Sequence, residues 1–177
     1  MSRGDWMRTR SGGRFYPADP RPEDIKILDI ASGLAKECRY GGQLEQHYSV
    51  AEHSLLVASV LPPELKLQGL LHDAEEAYWR DMVRPAKVLV PEYRAHAAKT
   101  WCAVADCFGI PRELHPFVHQ ADNDVLLAEK AQLFAEDTSE WSIKRAAADV
   151  TLRCWDYRAA EAEFLHYFHF LTKGTYK

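Results

Sequence analysis

Residues 70–79 read Leu-Leu-His-Asp-Ala-Glu-Glu-Ala-Tyr-Trp, and this stretch decides both the predicted fold and the predicted site. It lies on a helix expected to begin after two prolines at 62 and 63, with an apolar stripe at helical spacing formed by Leu67, Leu70, Leu71, Ala74 and Tyr78. His72 and Asp73 directly follow two leucines on a helix that should be buried, and buried polar groups are costly without partners. A lone His-Asp pair could be a surface accident, but this setting favours a functional site.

Helical signals continue towards the amino terminus. A first helix is predicted from Ile27 to the glycine pair at 41 and 42, with Asp29 as a candidate cap. A second is predicted for residues 50–61, because Ser49 followed three residues later by Glu52 is the pattern of a capping box. Residues 1–22 are rich in turn-forming glycine and proline and are expected to form an irregular arm outside the core, with a short hairpin across residues 9–16.

Towards the carboxyl terminus the pattern remains helical. Helices are predicted at 82–89, 91–108, 116–134 and 155–171, whereas residues 136–154 are expected to form a loop with at most one helical turn. We therefore predict an all-α, single-domain helical bundle, with the arm at residues 1–22 and the domain at residues 23–177.

Composition limits the classes of function. The 177 residues are 47% hydrophobic and 27% charged, which is ordinary for a globular protein and unlike disordered or membrane-spanning chains. The net charge of −4 argues against a partner that is polymeric nucleic acid, since such binding usually needs a basic surface. Four scattered cysteines and a polar start without a leader-like apolar segment predict a cytoplasmic protein.

Two further polar residues interrupt apolar helical segments. His53 lies one turn into the second helix, and Asp122 lies on the helix predicted at 116–134. Together with His72 and Asp73 they offer two imidazoles and two carboxylates from three helices. Such a mixed nitrogen and oxygen set suits Mn, Fe, Co, Ni or Zn, and Mg less well.

The ordered series His53, His72-Asp73 and Asp122 resembles the H...HD...D signature of HD-domain metal-dependent phosphohydrolases. Two segments are similar in sequence to bacterial HD-type 5′-deoxynucleotidases and their phage and prophage relatives. They are residues 72–87, His-Asp-Ala-Glu-Glu-Ala-Tyr-Trp-Arg-Asp-Met-Val-Arg-Pro-Ala-Lys, and residues 48–54, Tyr-Ser-Val-Ala-Glu-His-Ser. The resemblance extends over roughly residues 25–130. It implies an HD-type helical domain in which these four residues bind the metal.

The resemblance also implies roles for neighbouring residues. Glu76 would position or deprotonate the attacking water, and Asp81 would act as a general acid or hold a second ion. Arg39 would grip the substrate phosphate, and Lys87 would be a second phosphate contact. The residue after that arginine is often tryptophan in the nucleotidases but is Tyr40 here, which leaves base selection open.

The implied reaction is metal-dependent hydrolysis of a deoxynucleoside 5′-phosphate at the bond between the sugar oxygen and the alpha phosphorus, in which the metal polarises the phosphoryl group and acidifies a bound water. A rival with the same site would take a deoxynucleoside triphosphate and release triphosphate. An alarmone or cyclic-nucleotide hydrolase fits the motif text less well. A catalytically silent, nucleotide-binding HD module is the alternative of another class. The resemblance further implies a homodimer or higher homo-oligomer, in the host cytoplasm for a phage-encoded chain.

Overall fold

Helices dominate the chain in the computed structural model, which describes residues 3–139 and 141–173. The helices are α1 (Ile27–Lys36), α2 (Val50–Ser59), α3 (Lys66–Leu71), α4 (Glu76–Trp79), α5 (Arg84–Lys87), α6 (Pro91–Phe108), α7 (Pro116–Leu133) and α8 (Tyr157–Thr172). Two short strands, β1 (Met7–Arg8) and β2 (Arg14–Phe15), form an antiparallel hairpin. The predicted all-α class is confirmed. Across the described ranges, we find no helix with the length and apolar character needed to cross a membrane.

Helix α2 occupies the centre of the fold. It packs against α1, α3, α7 and α8, while α1 also packs against α4 and α8. The main core contains Ile30 and Leu34 of α1, Leu70 of α3, and Phe164 and Phe168 of α8, all fully buried. A residue on the first turns of α2 is therefore surrounded by other helices, and this places His53 deep in the protein.

The amino-terminal arm is docked onto the helices. Phe15 is fully buried in the main core and stacks on Tyr78, with ring centroids 4.1 Å apart, so the expectation that the arm lies outside the core was wrong. Asp29 was also predicted wrongly as a helix cap. Its carboxylate instead accepts hydrogen bonds from the backbone amide and hydroxyl of Ser11, and Lys26 precedes α1 without a side-chain cap.

The capping box forms only in part. Ser49 accepts a hydrogen bond from the amide of Glu52, as predicted. The carboxylate of Glu52 does not return to Ser49; it accepts from the backbone amides of Arg153, Cys154 and Trp155. Those amides lie in a loop without secondary structure of its own, so the buried carboxylate supplies the partners that the loop lacks.

The long helix predicted to carry His72 and Asp73 is interrupted. Helix α3 ends at Leu71, and α4 begins only at Glu76. Between them the backbone bonds span three residues, as from the amide of Ala74 to the carbonyl of Leu71. The His72 ring donates to the carbonyl of Gly69 and so takes an acceptor that a continuing helix would use. The two site residues therefore lie in a tight turn.

The remaining boundaries differ from prediction by a few residues, most of all at the end of α1. Helix α1 ends at Lys36, before the glycine pair, and residues 39–42 form a separate turn in which Tyr40 has a positive φ of 56°. Helix α2 ends at Ser59, two residues early. Helix α6 ends as predicted at Gly109, whose φ is 64°. Residues 136–154 contain no helix in their described part.

Candidate metal centre and its cavity

Four side chains from three parts of the fold meet at one point. His53 comes from α2, Asp122 from α7, and His72 and Asp73 from the turn after α3. His53 Nε2 lies 3.2 Å from Asp122 Oδ1 and 3.8 Å from Asp73 Oδ2, and His72 Nε2 lies 3.2 Å from Asp73 Oδ2. The structure thus brings together the four residues predicted as metal ligands.

The other ring nitrogen of each histidine is held by an acceptor. His53 Nδ1 donates to Glu129 Oε1 at 2.6 Å, and His72 Nδ1 donates to the carbonyl of Gly69 at 2.7 Å. A carbonyl and an ionised carboxylate only accept, so each Nδ1 carries a proton. The neutral ring is then the tautomer with its free lone pair on Nε2, and this nitrogen can bind a metal.

The geometry of the cluster fits a cation. The Nε2 atoms of His53 and His72 are buried without a hydrogen-bond partner, which is costly unless something else binds them. One ligand atom from each of His53, His72 and Asp122 lies within 4.8 Å of the other two. Ligands about 2.1 Å from one ion lie roughly 3.0 to 3.4 Å apart, close to the 3.2 Å separations here. The donor set fits a divalent transition metal.

The charges of the cluster are mutually dependent. Burial lowers the pKa of His72, but the neighbouring Asp73 carboxylate outweighs this effect and the pKa rises to about 9. Burial would raise the pKa of Asp122, yet the His53 ring, whose Nε2 lies 3.2 Å from Asp122 Oδ1, holds it below the usual range. Two carboxylates therefore stabilise positive charge at this point, whether it belongs to protons or to a metal.

The cluster adjoins a cavity of about 500 Å³, within the range of about 300 to 1,000 Å³ typical of small-molecule sites. All of the predicted catalytic and substrate-binding residues line this cavity: Arg39, Tyr40, Glu76, Asp81 and Lys87. Asp73 and Asp122 line it as well, so a molecule inside would reach the carboxylates of the candidate metal centre.

Glu76 and Asp81 have the electrostatics of proton-transfer groups. Glu76 Oε1 accepts from Lys87 at 2.5 Å, while Oε2 is buried without a partner. Burial and the charge of Asp73 raise the pKa of Glu76 well above its usual value. Burial also raises the pKa of Asp81, partly offset by Arg39. A raised pKa brings each carboxyl group closer to the range in which acid–base groups work.

The residue that sequence reasoning missed is Glu129. It is fully buried on α7 and accepts hydrogen bonds from Arg39, Tyr40, Tyr48 and His53. Arg39 thus lines the cavity with two of its nitrogens already bound to a carboxylate. A signal was present in the sequence, because Glu129 lies seven residues after Asp122, two turns along the same helix face.

Part of the cavity lining is apolar and aromatic. Trp141 and Ile143 contribute to it from the loop predicted at residues 136–154, and Leu126 of α7 lies there too. The rings of Trp141 and Tyr40 have centroids 6.5 Å apart. Arg145 and Asp124 form a two-pronged ion pair that fastens this loop to α7. Periodicity gave no indication of these contacts because the loop has no regular repeat.

The fold and the cluster define a helical protein with a candidate metal centre whose carboxylates line a cavity. No family model matches the chain. The protein YfdR of Escherichia coli K12, described as uncharacterized, is 36% identical over 138 residues, which are 78% of each protein. The chain belongs to the family of YfdR. An uncharacterized protein of Rhodobacter capsulatus is 40% identical over 119 residues, 62% of this chain and 61% of that protein.

Proposed function

We propose that this protein is a divalent-metal-dependent phosphohydrolase of the HD type that acts on a deoxynucleoside 5′-monophosphate. Water would cleave the bond between O5′ and the alpha phosphorus; its hydroxyl would go to phosphorus and a proton to O5′, releasing nucleoside and inorganic phosphate. The observation that carries the proposal is the pair of buried Nε2 atoms of His53 and His72, fixed in the metal-binding tautomer opposite Asp73 and Asp122.

His53, His72, Asp73 and Asp122 would hold the ion, which could be Mn, Co, Zn, Fe or Ni, with Mg a poorer fit. When bound, such an ion supplies charge stabilisation and a more acidic water. The unpartnered Oε2 of Glu76 can accept the proton of the attacking water. Asp81, whose pKa is raised mainly by burial, can donate a proton to the leaving O5′.

The charge of the cavity favours a monophosphate over a triphosphate. Its lining has three cationic side chains, Arg39, Arg84 and Lys87, against the four carboxylates of Asp73, Glu76, Asp81 and Asp122. The guanidinium of Arg39 is in addition paired with Glu129. A divalent ion leaves little further positive charge to balance an anion, and a phosphomonoester carries only about two negative charges.

The aromatic part of the cavity lining supports a nucleoside as the organic part of the substrate. Trp141 and Tyr40 offer flat apolar faces, and the hydroxyl of Tyr40 is occupied by Glu129. Aromatic faces bind planar rings without requiring one particular base. We therefore propose a small-molecule nucleotide, held with its base towards Trp141 and its phosphate towards the metal centre.

The proposal includes a compartment and an assembly state. The four cysteines, at 38, 102, 107 and 154, form no disulfide, which supports the cytoplasm as the site of action. We propose a homodimer or higher homo-oligomer, supported by the consecutive exposed apolar side chains Val88, Leu89 and Val90, which are 60%, 78% and 39% exposed. Light scattering at several protein concentrations tests this assembly; a monomer throughout would contradict it.

The decisive experiment is a hydrolysis screen with Mn, Co, Zn and Mg in turn, offering every deoxynucleoside mono- and triphosphate and separating the products by chromatography. Nucleoside and phosphate from the monophosphates are expected. Nucleoside and triphosphate, with the monophosphates untouched, would instead establish the triphosphohydrolase. Nucleotide binding without turnover under any metal would establish a silent binding module.

Two variants show whether the activity belongs to this site. Asp73→Asn should lose turnover and metal together, because it removes a carboxylate from the cluster. Asp106→Asn is the matched control, since Asp106 is exposed and pairs only with Arg112 on the surface. Full activity of Asp73→Asn would contradict the proposed function.

A further inference from the structure

We infer that Glu129 is a positioning residue that links the candidate metal centre to residues that line the cavity and are proposed to contact the substrate. One carboxylate oxygen fixes the His53 ring, and the other fixes Arg39 and Tyr40. The inference rests on the proposed metal site, and it assigns a function to a buried carboxylate that takes no part in the proposed reaction.

The two oxygens of Glu129 have separate partners. Oε1 accepts from His53 Nδ1 at 2.6 Å and from the hydroxyl of Tyr48 at 2.8 Å. Oε2 accepts from Arg39 at 2.9 and 3.2 Å and from the hydroxyl of Tyr40 at 2.6 Å. One side chain therefore sets the position of a candidate metal ligand and of two residues that line the cavity.

A salt bridge alone does not account for this arrangement. Glu129 and its ion-pair partner Arg39 are both buried, and the guanidinium of Arg39 alone would balance the charge of the Glu129 carboxylate. Oε1 of Glu129 nevertheless accepts its hydrogen bonds from Tyr48 and His53. A carboxylate that accepts from the Nδ1–H of a metal-binding histidine fixes its tautomer and makes Nε2 a stronger donor to the metal. Tyr48, fully buried, keeps that oxygen aimed at the ring.

The proposal predicts a specific loss in Glu129→Gln. An amide keeps the volume but loses the charge, and its NH₂ group would face donors on one side. Metal affinity, measured by calorimetry with Mn²⁺ and with Zn²⁺, should fall by about 10- to 100-fold. The KM for substrate should also rise, since Arg39 and Tyr40 lose their common anchor.

Glu52→Gln is the matched control. Glu52 is as fully buried as Glu129 and lies next to His53 in the chain, but its carboxylate binds the backbone amides of residues 153–155. If removing any buried carboxylate near α2 weakened the site, both variants would lose metal. We expect the metal affinity of Glu52→Gln to equal that of the unaltered protein.

A measurement on the unaltered protein avoids dependence on how well a variant folds. Nitrogen-15 NMR of the metal-free protein, at a pH where the ring of His53 is neutral, should show the proton on Nδ1. A proton on Nε2 would overturn the inference. So would a Glu129→Gln variant that binds Mn²⁺ as tightly as the unaltered protein. An unaltered protein that binds no metal would instead overturn the proposed function, and the positioning role with it.

Discussion

Removing the carboxylate of Glu52 should destabilise the protein strongly although Glu52 takes no part in the proposed chemistry. The side chain is fully buried and accepts from the amides of Arg153, Cys154 and Trp155 at 2.6, 3.0 and 2.9 Å. Hydrogen bonds to a charged group contribute about 1.5 to 3 kcal/mol each, and the lower value applies because residues 153–155 can regain water. Glu52→Ala should therefore reduce the free energy of unfolding by about 4 to 5 kcal/mol.

Urea unfolding followed by circular dichroism measures this loss. With a slope of about 1 to 3 kcal/mol per molar urea, the midpoint should fall by about 1.5 M or more. Glu45→Ala is the control, because Glu45 is an exposed loop residue, and its effect should stay within about 0.5 kcal/mol. A loss below about 1 kcal/mol for Glu52→Ala would refute the reasoning, because the three amides would then not depend on this carboxylate.

Three more predictions test the fold and the site. Asp156 caps α8 by accepting hydrogen bonds from the backbone amides of Arg158 and Ala159, and these bonds lower its pKa. Asp156→Ala should therefore lower the melting temperature at neutral pH. The difference in melting temperature should vanish as the pH falls below about 4 and the carboxylate is protonated. A Cβ on Gly33 would lie 2.7 Å from that of Ala77, so Gly33→Ala should cost about 1 to 3 kcal/mol in urea unfolding, and an unchanged midpoint would contradict the close approach of α1 and α4. Saturating Mn²⁺ or Zn²⁺ at about 100 times its dissociation constant should stabilise the protein by about 2.7 kcal/mol, chelation should reverse this, and Asp122→Asn should abolish it.

Local signals predicted the helices that depend on local chemistry. Pro91 begins α6, and Gly109 in the left-handed region ends it, so both boundaries were readable in the sequence. The break between α3 and α4 was not, because no proline lies near His72 and the nearby Gly69 lies within α3, before the break. It accompanies the bond from the His72 ring to the carbonyl of Gly69, which a periodicity argument does not represent.

The same contrast separates the four candidate metal ligands, which the sequence reveals, from the residues around them, whose roles depend on distant partners. A histidine or aspartate on an apolar helix face is visible in the sequence, because it violates the pattern of its neighbours. Glu129 violates that pattern as well, but its role depends on partners 76 to 90 residues earlier in the chain, such as His53 and Arg39. Trp141 lies in a loop without periodicity, so its place in the cavity follows only from the contacts that fasten that loop to α7.

Two buried carboxylates, Glu52 of α2 and Glu129 of α7, make contacts of different kinds. Glu52 binds the end of the loop whose beginning carries Trp141, and it makes this contact through backbone amides, which any loop sequence provides. Glu129 accepts a hydrogen bond from Nδ1 of the His53 ring, and only histidine supplies this donor together with a metal-binding ring nitrogen. The loop can therefore change its sequence, and with it the aromatic wall, without disturbing the candidate metal centre. Under the proposed function, variation in substrate preference within this family should accordingly concentrate in the loop, while the contact between His53 and Glu129 is kept.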